Sequence, residues 1–262
     1  MGKVSVNGIS LYCEERGTGS PMLCIHGGGS SALLWAEAVP ELARRGRVIT
    51  YDRRGCTRSE RPEPYEVTTV REQADDAAAL LTALDAAPAV VIGRSYGGEI
   101  AVDLVQRYPD LVRALVLLEP AIPTLSRQTL SWWEALSARY RADAAAVGPE
   151  AATEGIYRVL LSDATWDRLP DAVRQIFVDN SPALLAEIRG EGVPPDAAAL
   201  ARVTQPVLIV SGESSPEAFG EVDDVLAGMI PETRHEIVSG GHLLNPASPV
   251  VLDFLDEIMP TP

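Results

Sequence analysis

The fold of this chain is decided by the stretch AVVIGRSYGGEIAVDLV, residues 89–105. Its first four residues are apolar and predict a buried strand, and residues 98–105 have the spacing of a helix. Between them stands Gly93-Arg94-Ser95-Tyr96-Gly97, a G-x-S-x-G sequence that predicts a sharp turn presenting the Ser95 hydroxyl as a nucleophile. The flanking glycines allow a close approach of the backbone, and the helix directs its free N–H groups towards the serine. A serine that only caps the helix is the alternative interpretation.

The bulk composition limits the class of protein. With 262 residues, of which 46% are hydrophobic, the chain can build one large core and a small inserted subdomain. A net charge of −15 argues against nucleic acid and an anionic membrane as partners. The sequence has neither an apolar run of about 18 residues nor a signal-peptide pattern, so we expect a cytoplasmic protein without a membrane partner. A homodimer stays an open alternative to a monomer.

The cysteines and the glycine run offer no cofactor pattern. Cys13, Cys24 and Cys56 lack the spacing of metal ligands, and we expect reduced thiols. Gly27-Gly28-Gly29 lacks the G-x-G-x-x-G pattern of a dinucleotide site. We therefore expect neither a metal nor a cofactor.

Strand and helix patterns alternate along most of the chain, which predicts a mostly parallel sheet covered on both faces. This alternation of strand and helix patterns stops near Pro120, and the pattern is helical from about residue 125 to residue 200. We therefore predict a core formed by residues 1–122 and 201–262, with residues 123–200 inserted as a helical lid. The predicted strands are 4–13, 22–25, 47–51, 89–92, 114–118, 206–211 and 233–238, and the predicted helices outside the lid include 33–45, 69–84 and 249–259.

Four segments together resemble the α/β-hydrolase superfamily over nearly the whole chain, in its serine-nucleophile branch. They are His26-Gly27-Gly28-Gly29, Tyr51-Asp52-Arg53-Arg54-Gly55, the turn around Ser95, and Gly241-His242. The resemblance implies an eight-stranded, mostly parallel sheet flanked by helices, with an inserted helical lid. It also implies acyl-transfer or related hydrolytic chemistry, but it does not name a substrate.

A serine nucleophile needs a base, and the base needs a third group to orient it. Of the three histidines, His242 matches the position of the family's catalytic histidine, just after the last predicted strand. The family uses the equivalent of His26 structurally, and His235 lies in an alternating strand pattern that predicts a surface residue. We therefore predict His242 as the base.

The acid departs from the family's commonest pattern. The family usually places an aspartate shortly after the seventh strand, where this chain has Ser215, with Glu213 and Glu217 close by. A subset of the family carries the acid after the sixth strand, and Glu119 occupies that position. A buried carboxylate there would need a partner, which a histidine that becomes positive during the reaction can supply. We favour Glu119, with Glu213 and Glu217 as alternatives.

Two backbone N–H groups should stabilise the oxyanion that develops during acyl transfer. One belongs to Tyr96, directly after the nucleophile. By the family's H-G-x position the other belongs to Gly28, with Gly29 as the alternative. We also expect Gly29 to lie against the substrate, although a tight turn alone would favour glycines in this loop.

Three of the four tryptophans fall in the predicted lid, at Trp132, Trp133 and Trp166. Aromatic side chains form large apolar walls, so these residues predict a pocket for a hydrophobic ester or lactone. The alternative is that they only attach the lid to the core.

The leading functional interpretation is a carboxylesterase or lactonase that forms an acyl-enzyme on Ser95. A narrower resemblance to the lactonases that open zearalenone rests on the serine, glutamate and histidine set, the length and the aromatic lid. A cofactor-free perhydrolase of the haloperoxidase type, or a carbon–carbon bond hydrolase, is the alternative on the same three residues. A non-catalytic protein that binds a ligand under its lid is the alternative from another class.

Overall fold

The computed structural model describes residues 2–190, 192 and 194–259. Its centre is a sheet of eight strands. The strands are β1 (Gly2–Val6), β2 (Ile9–Arg16), β3 (Pro21–Ile25), β4 (Arg47–Tyr51), β5 (Ala89–Arg94), β6 (Val112–Leu118), β7 (Val207–Gly212) and β8 (Arg234–Val238). Their order in space is β1-β2-β4-β3-β5-β6-β7-β8.

Only β2 runs against the other strands of the sheet. β1 pairs antiparallel with β2, and β2 pairs antiparallel with β4, whereas every later pairing is parallel. The carboxyl ends of β3 to β8 therefore meet at one edge of the sheet. The predicted mostly parallel sheet of eight strands, flanked by helices, is confirmed.

Helices cover both faces of this sheet. They are α1 (Val39–Leu42), α2 (Val70–Ala83), α3 (Tyr96–Arg107), α4 (Arg127–Val147), α5 (Pro149–Leu161), α6 (Asp163–Arg168), α7 (Asp171–Asp179), α8 (Ser181–Arg189), α9 (Ala197–Leu200), α10 (Glu217–Met229) and α11 (Pro249–Ile258). Short 3₁₀ turns occupy Ala32–Trp35, Pro109–Leu111 and Pro123–Leu125.

The core has two layers, because successive side chains of a strand point to opposite faces. Along β3, Leu23 and Ile25 pack in the layer beneath α2, α3 and α10, whereas Met22 and Cys24 pack in the layer beneath α1 and α11. β5 lies in the middle of the sheet and is buried along its whole length. This rigid strand carries the turn that contains Ser95.

Helices α4 to α9 lie between β6 and β7 in the chain, where the helical insertion was predicted. A third apolar cluster packs inside this insertion around residues such as Tyr140, Tyr157 and Trp166. The division into a core of 1–122 and 201–262 and a lid of 123–200 stays a prediction. Positions 1, 191, 193 and 260–262 of these segments lie outside the described residues.

Two local predictions were wrong. The predicted strand 4–13 is a hairpin of β1 and β2, because Asn7 and Gly8 have φ of 44° and 75° and form a tight turn. The predicted helix 33–45 is a 3₁₀ turn followed by the four-residue helix α1. None of the helices in the described part of the chain is both long and apolar enough to cross a membrane.

Candidate active site

Ser95 lies on the sharp turn that joins β5 to α3. Its backbone has φ 52° and ψ −123°, a strained conformation for a residue with a side chain. A Cβ added at Gly97 would stand 2.2 Å from the carbonyl oxygen of Ile25, and one at Gly93 would stand 2.5 Å from the oxygen of Gly97. The motif needs glycine at both positions because the neighbouring backbone leaves no room for a side chain.

Glu119 and His242 form a buried pair at the carboxyl edge of the sheet. His242 Nδ1 lies 2.7 Å from Glu119 Oε2, and the N–H of Gly212 donates to Glu119 Oε1 at 2.6 Å. The Glu119 side chain is fully buried at the end of β6, and His242 follows β8. A carboxylate oxygen that accepts from Nδ1 leaves Nε2 as the free basic nitrogen of the ring.

The other two candidate acids lie elsewhere. Glu213 is exposed, and its Oε2 accepts a hydrogen bond from the hydroxyl of Ser239 at 3.3 Å. Glu217 is exposed in the first turn of α10. Of the three candidates, Glu119 is the one that the structure brings to His242.

Phe219 of α10 supports the histidine ring, and the sequence offered no signal for it. Its ring centroid is 3.9 Å from that of His242, with 24° between the planes. On its other side, Phe219 meets Trp132 edge-on at 6.0 Å. The ring of His242 is thus held between a carboxylate and an aromatic face, which limits its rotation.

The candidate oxyanion donors can be told apart by their hydrogen bonds. Tyr96 opens α3, where an N–H group has no acceptor within the helix. The N–H of Gly29 donates to Glu187 Oε2 at 2.9 Å, so it is already used. The N–H of Gly28 donates to no described residue. The geometry therefore leaves Gly28 and Tyr96 as the available pair.

A buried ion pair fixes the loop that carries these glycines. Arg53 Nη2 donates to Glu187 Oε1 at 2.7 Å and to the carbonyl of Gly27 at 2.7 Å. The side chains of Arg53 and Glu187 are 0% and 3% exposed. Burial raises the pKa of Glu187, and the pairing with Arg53 opposes that shift. Since Glu187 lies on α8, the insertion itself holds the loop that carries the candidate oxyanion donors Gly28 and Gly29.

Tyr157 of α5 makes a second connection from the insertion to this loop. Its hydroxyl donates to the carbonyl of Gly28 at 2.7 Å, and the carbonyl of Gly29 lies 3.3 Å away. The carbonyl of Gly28 is thereby held by Tyr157, so the orientation of the peptide units in this turn is determined by side chains. Neither Glu187 nor Tyr157 was identified from the sequence, because a lone polar residue in a helical pattern carries no signal of its distant partner.

His26 takes a structural role, as the resemblance implied. The backbone N–H of Arg53 donates to His26 Nε2 at 3.0 Å, and Nδ1 faces the carbonyl of Gly27 at 2.9 Å. Burial, with the nearby Arg53 charge, lowers the pKa of His26 to about 3. The ring is therefore neutral, and it ties two turns together.

A cavity opens onto these groups. Gly28, Ser95, Tyr96 and His242 line it, together with mostly apolar side chains of the insertion. Within the described residues the hydroxyl of Ser95 makes no hydrogen bond, so it is free to meet a ligand in the cavity.

The predicted substrate-binding residues divide into two groups. Trp132 and Trp133 line the cavity. Trp166 is 3% exposed and packs against Tyr157 at 5.9 Å, inside the apolar cluster of the insertion. Gly29 packs against a helix of the insertion and does not reach the cavity wall. The structure thus brings the first two tryptophans to the site and leaves Trp166 and Gly29 outside it.

The described residues contain no cluster of histidine, cysteine and acidic side chains arranged for a metal ion. Cys13, Cys24 and Cys56 are free thiols buried in the core. Burial raises the pKa of Cys24 to about 12, so this thiol stays protonated.

This chain is similar to proteins of one family. The family described as the alpha/beta hydrolase fold matches residues 20–248. A 2-(acetamidomethylene)succinate hydrolase from Mesorhizobium japonicum is 31% identical over 97% of this chain and 94% of its own length. A zearalenone hydrolase from Bionectria ochroleuca is 29% identical over 73% of this chain and 70% of its own length. Among solved structures, a thermophilic esterase from Thermogutta terrifontis matches with a TM-score of 0.79 and 25% identity, over 98% of this chain and 97% of its own.

Proposed function

This chain belongs to the alpha/beta hydrolase family, and we propose that it hydrolyses a carboxylic ester or lactone through an acyl-enzyme on Ser95. The resemblance predicted from the motifs, and with it an enzyme of this family, is confirmed. One observation carries the proposal, namely the buried hydrogen bond between Glu119 and His242, whose ring lines the same cavity as Ser95.

In this proposal the hydroxyl of Ser95 attacks the carbonyl carbon of the substrate, and its proton passes to His242 Nε2. The carbonyl oxygen becomes an oxyanion that the N–H groups of Gly28 and Tyr96 stabilise. Glu119 stabilises the imidazolium that forms. Collapse of the intermediate breaks the bond to the leaving alkoxide, which takes the proton from His242. Water, activated by the same ring, then hydrolyses the acyl-enzyme.

The wall of the cavity favours a hydrophobic substrate. Trp132 and Trp133 add large flat apolar surfaces, and most of the remaining lining is also apolar. The solved structure from Thermogutta terrifontis is that of an esterase, and the Bionectria ochroleuca relative is a hydrolase of zearalenone. These similarities support an ester or lactone bond as the one that is cleaved.

A substrate panel tests the proposal. The wild-type enzyme should hydrolyse p-nitrophenyl acetate and at least one bulky lactone. Replacing the nucleophile in Ser95→Ala should lower kcat by at least ~1000-fold, whereas Ser5→Ala, on an exposed part of β1, is the matched control. Faster formation of a peracid from acetate and hydrogen peroxide, or faster cleavage of a vinylogous 1,5-diketone, would favour the perhydrolase or carbon–carbon hydrolase alternative.

A further inference from the structure

Glu99 lies one helical turn after Ser95 and borders the same cavity. Both residues belong to the start of α3, and Glu99 is 7% exposed. Residues four apart share a face of a helix and are separated by about 6 Å along its axis. A substrate held at Ser95 can therefore reach Glu99 with a short side chain.

Glu99 differs from every other buried carboxylate in the described part of the chain. Its side chain neither accepts a hydrogen bond nor forms an ion pair with any described residue. Each of the other buried carboxylates has a partner, as the following bonds show. Asp52 accepts from Arg58, Asp76 from Arg54, Glu119 from Gly212, Glu187 from Arg53 and Asp223 from Ser211.

The side chain of Glu99 is mostly removed from water, and the residue is 7% exposed. Burial, with the nearby Asp103, raises the pKa of Glu99 to about 8. This carboxyl therefore keeps its proton at neutral pH. A mostly buried carboxyl group that borders the candidate active site, and that has no partner among the described residues, can bind a ligand that supplies one.

The charged groups around Glu99 are already engaged. Within the cavity, Glu187 pairs with Arg53, and Arg94 donates to the carbonyl of Leu244 at 2.6 Å. Glu99 also lines a groove on the outer side of α3, together with Arg71, Asp103, Arg107, Asp196 and Arg202, and none of these arginines lies within ion-pairing distance of it. His242 is paired with Glu119.

We propose that Glu99 is a specificity residue that binds a protonated amine of the substrate, one helical turn away from the scissile carbonyl. This inference rests on the proposed ester or lactone hydrolysis. An ammonium group is a charge-assisted donor, and it allows Glu99 to release its proton and become a carboxylate. The net charge of −15 also draws cationic ligands towards the protein.

A pair of esters tests this inference. The 2-(dimethylamino)ethyl and 3-methylbutyl esters of one acid have nearly the same shape, and only the first carries a protonated amine. In the wild-type enzyme, kcat/KM should be at least ~10-fold higher for the amino ester, the size expected of one good charge-assisted contact. In Glu99→Gln the ratio of the two values should fall to about 1. Asp110→Asn, which removes one exposed carboxylate just after α3, is the control and should keep the wild-type ratio.

Proton release gives a second, independent readout. The hydrolysis-resistant amide with the same dimethylaminoethyl group should release close to one proton at pH 7 on binding, measured by calorimetry in two buffers of different ionisation enthalpy. Glu99→Gln should release none. Equal kcat/KM ratios in wild type and Glu99→Gln, or binding without proton release, would overturn the inference while ester hydrolysis itself stands. If the wild-type enzyme cleaves neither ester but still releases the proton through Glu99, the amine site stands and the proposed reaction fails.

Discussion

Glu119→Gln separates the charge of the acid from its shape. In the wild-type protein each carboxylate oxygen of Glu119 has its own bond, one from the N–H of Gly212 at 2.6 Å and one with His242 Nδ1 at 2.7 Å. A glutamine keeps the acceptor for Gly212 but presents an NH₂ group to Nδ1. The imidazole then places its proton on Nε2, and the nitrogen that should accept the proton of Ser95 can no longer do so.

The expected cost is large because Glu119 itself is shielded from water. Glu119 is fully buried, so no solvent molecule replaces its charge beside the imidazolium. Loss of the correct tautomer and of this charge should lower kcat by about 10³–10⁴-fold, which corresponds to about 4–5 kcal/mol of transition-state stabilisation. The assay is steady-state hydrolysis of p-nitrophenyl acetate, with thermal unfolding to check that the variant is folded.

Glu213→Gln and Glu217→Gln are matched controls, because each removes one carboxylate from the exposed loop and helix after β7. Each should change kcat by less than about twofold. A loss in either control that exceeds the loss in Glu119→Gln would refute the reasoning and assign the acid's role to the segment after β7.

Three further outcomes are expected. Trp132→Ala should lower kcat/KM for a bulky lactone at least ~10-fold more than for p-nitrophenyl acetate, and Trp166→Ala should instead lower the melting temperature, because its loss leaves a cavity. Glu187→Gln should lower the free energy of unfolding in urea by about 3–5 kcal/mol, since it leaves Arg53 buried without its carboxylate, and it should also lower kcat through the oxyanion loop. The melting temperature of Glu99→Gln, measured relative to that of the wild type, should rise as the pH increases from about 4.5 to about 8.

The proton on Glu99 determines the direction in which the melting temperature changes with pH. The folded protein holds this proton up to about pH 8, while the unfolded chain releases it near pH 4.5. The contribution of Glu99 to the free energy of unfolding is therefore fully present below pH 4.5 and is lost as the pH rises through about 8. If the melting temperatures of Glu99→Gln and wild type differed by the same amount across this pH range, the result would contradict a proton held by Glu99 in the folded protein. For the other three variants the contrary results would be equal losses on both substrates with Trp132→Ala, an unchanged melting temperature with Trp166→Ala, and an unchanged unfolding curve with Glu187→Gln.

The sequence was most informative where function depends on local backbone geometry. The turn around Ser95 was identifiable because strand, glycine, serine and helix follow one another within a few residues. His242 was found through its place after the last strand, which is also a local feature. Glu119 was favoured because a subset of the family carries the acid after the sixth strand, and the structure brings it to His242 across 123 positions of the chain.

Contacts between distant helices could not be predicted from the sequence. Phe219 lies in a helix whose apolar spacing is explained by packing alone, so nothing marked it as the residue that stacks on His242. Glu187 lies 134 positions from Arg53 in the chain, and it reaches Arg53 through the docking of α8, which no periodicity shows. Trp132 and Trp166 look alike in the sequence, and only the packing of the insertion decides which of them borders the cavity.

Covalent labelling is the most direct test of the central claim, that Ser95 forms the acyl-enzyme. The wild-type protein is treated with a p-nitrophenyl phosphonate ester, digested, and analysed by peptide mass spectrometry. We predict one added phosphonyl group per chain, carried by the peptide that contains Ser95, together with loss of esterase activity, and no label in Ser95→Ala. A label on another residue, or inactivation of the enzyme without a label on Ser95, would contradict the mechanism.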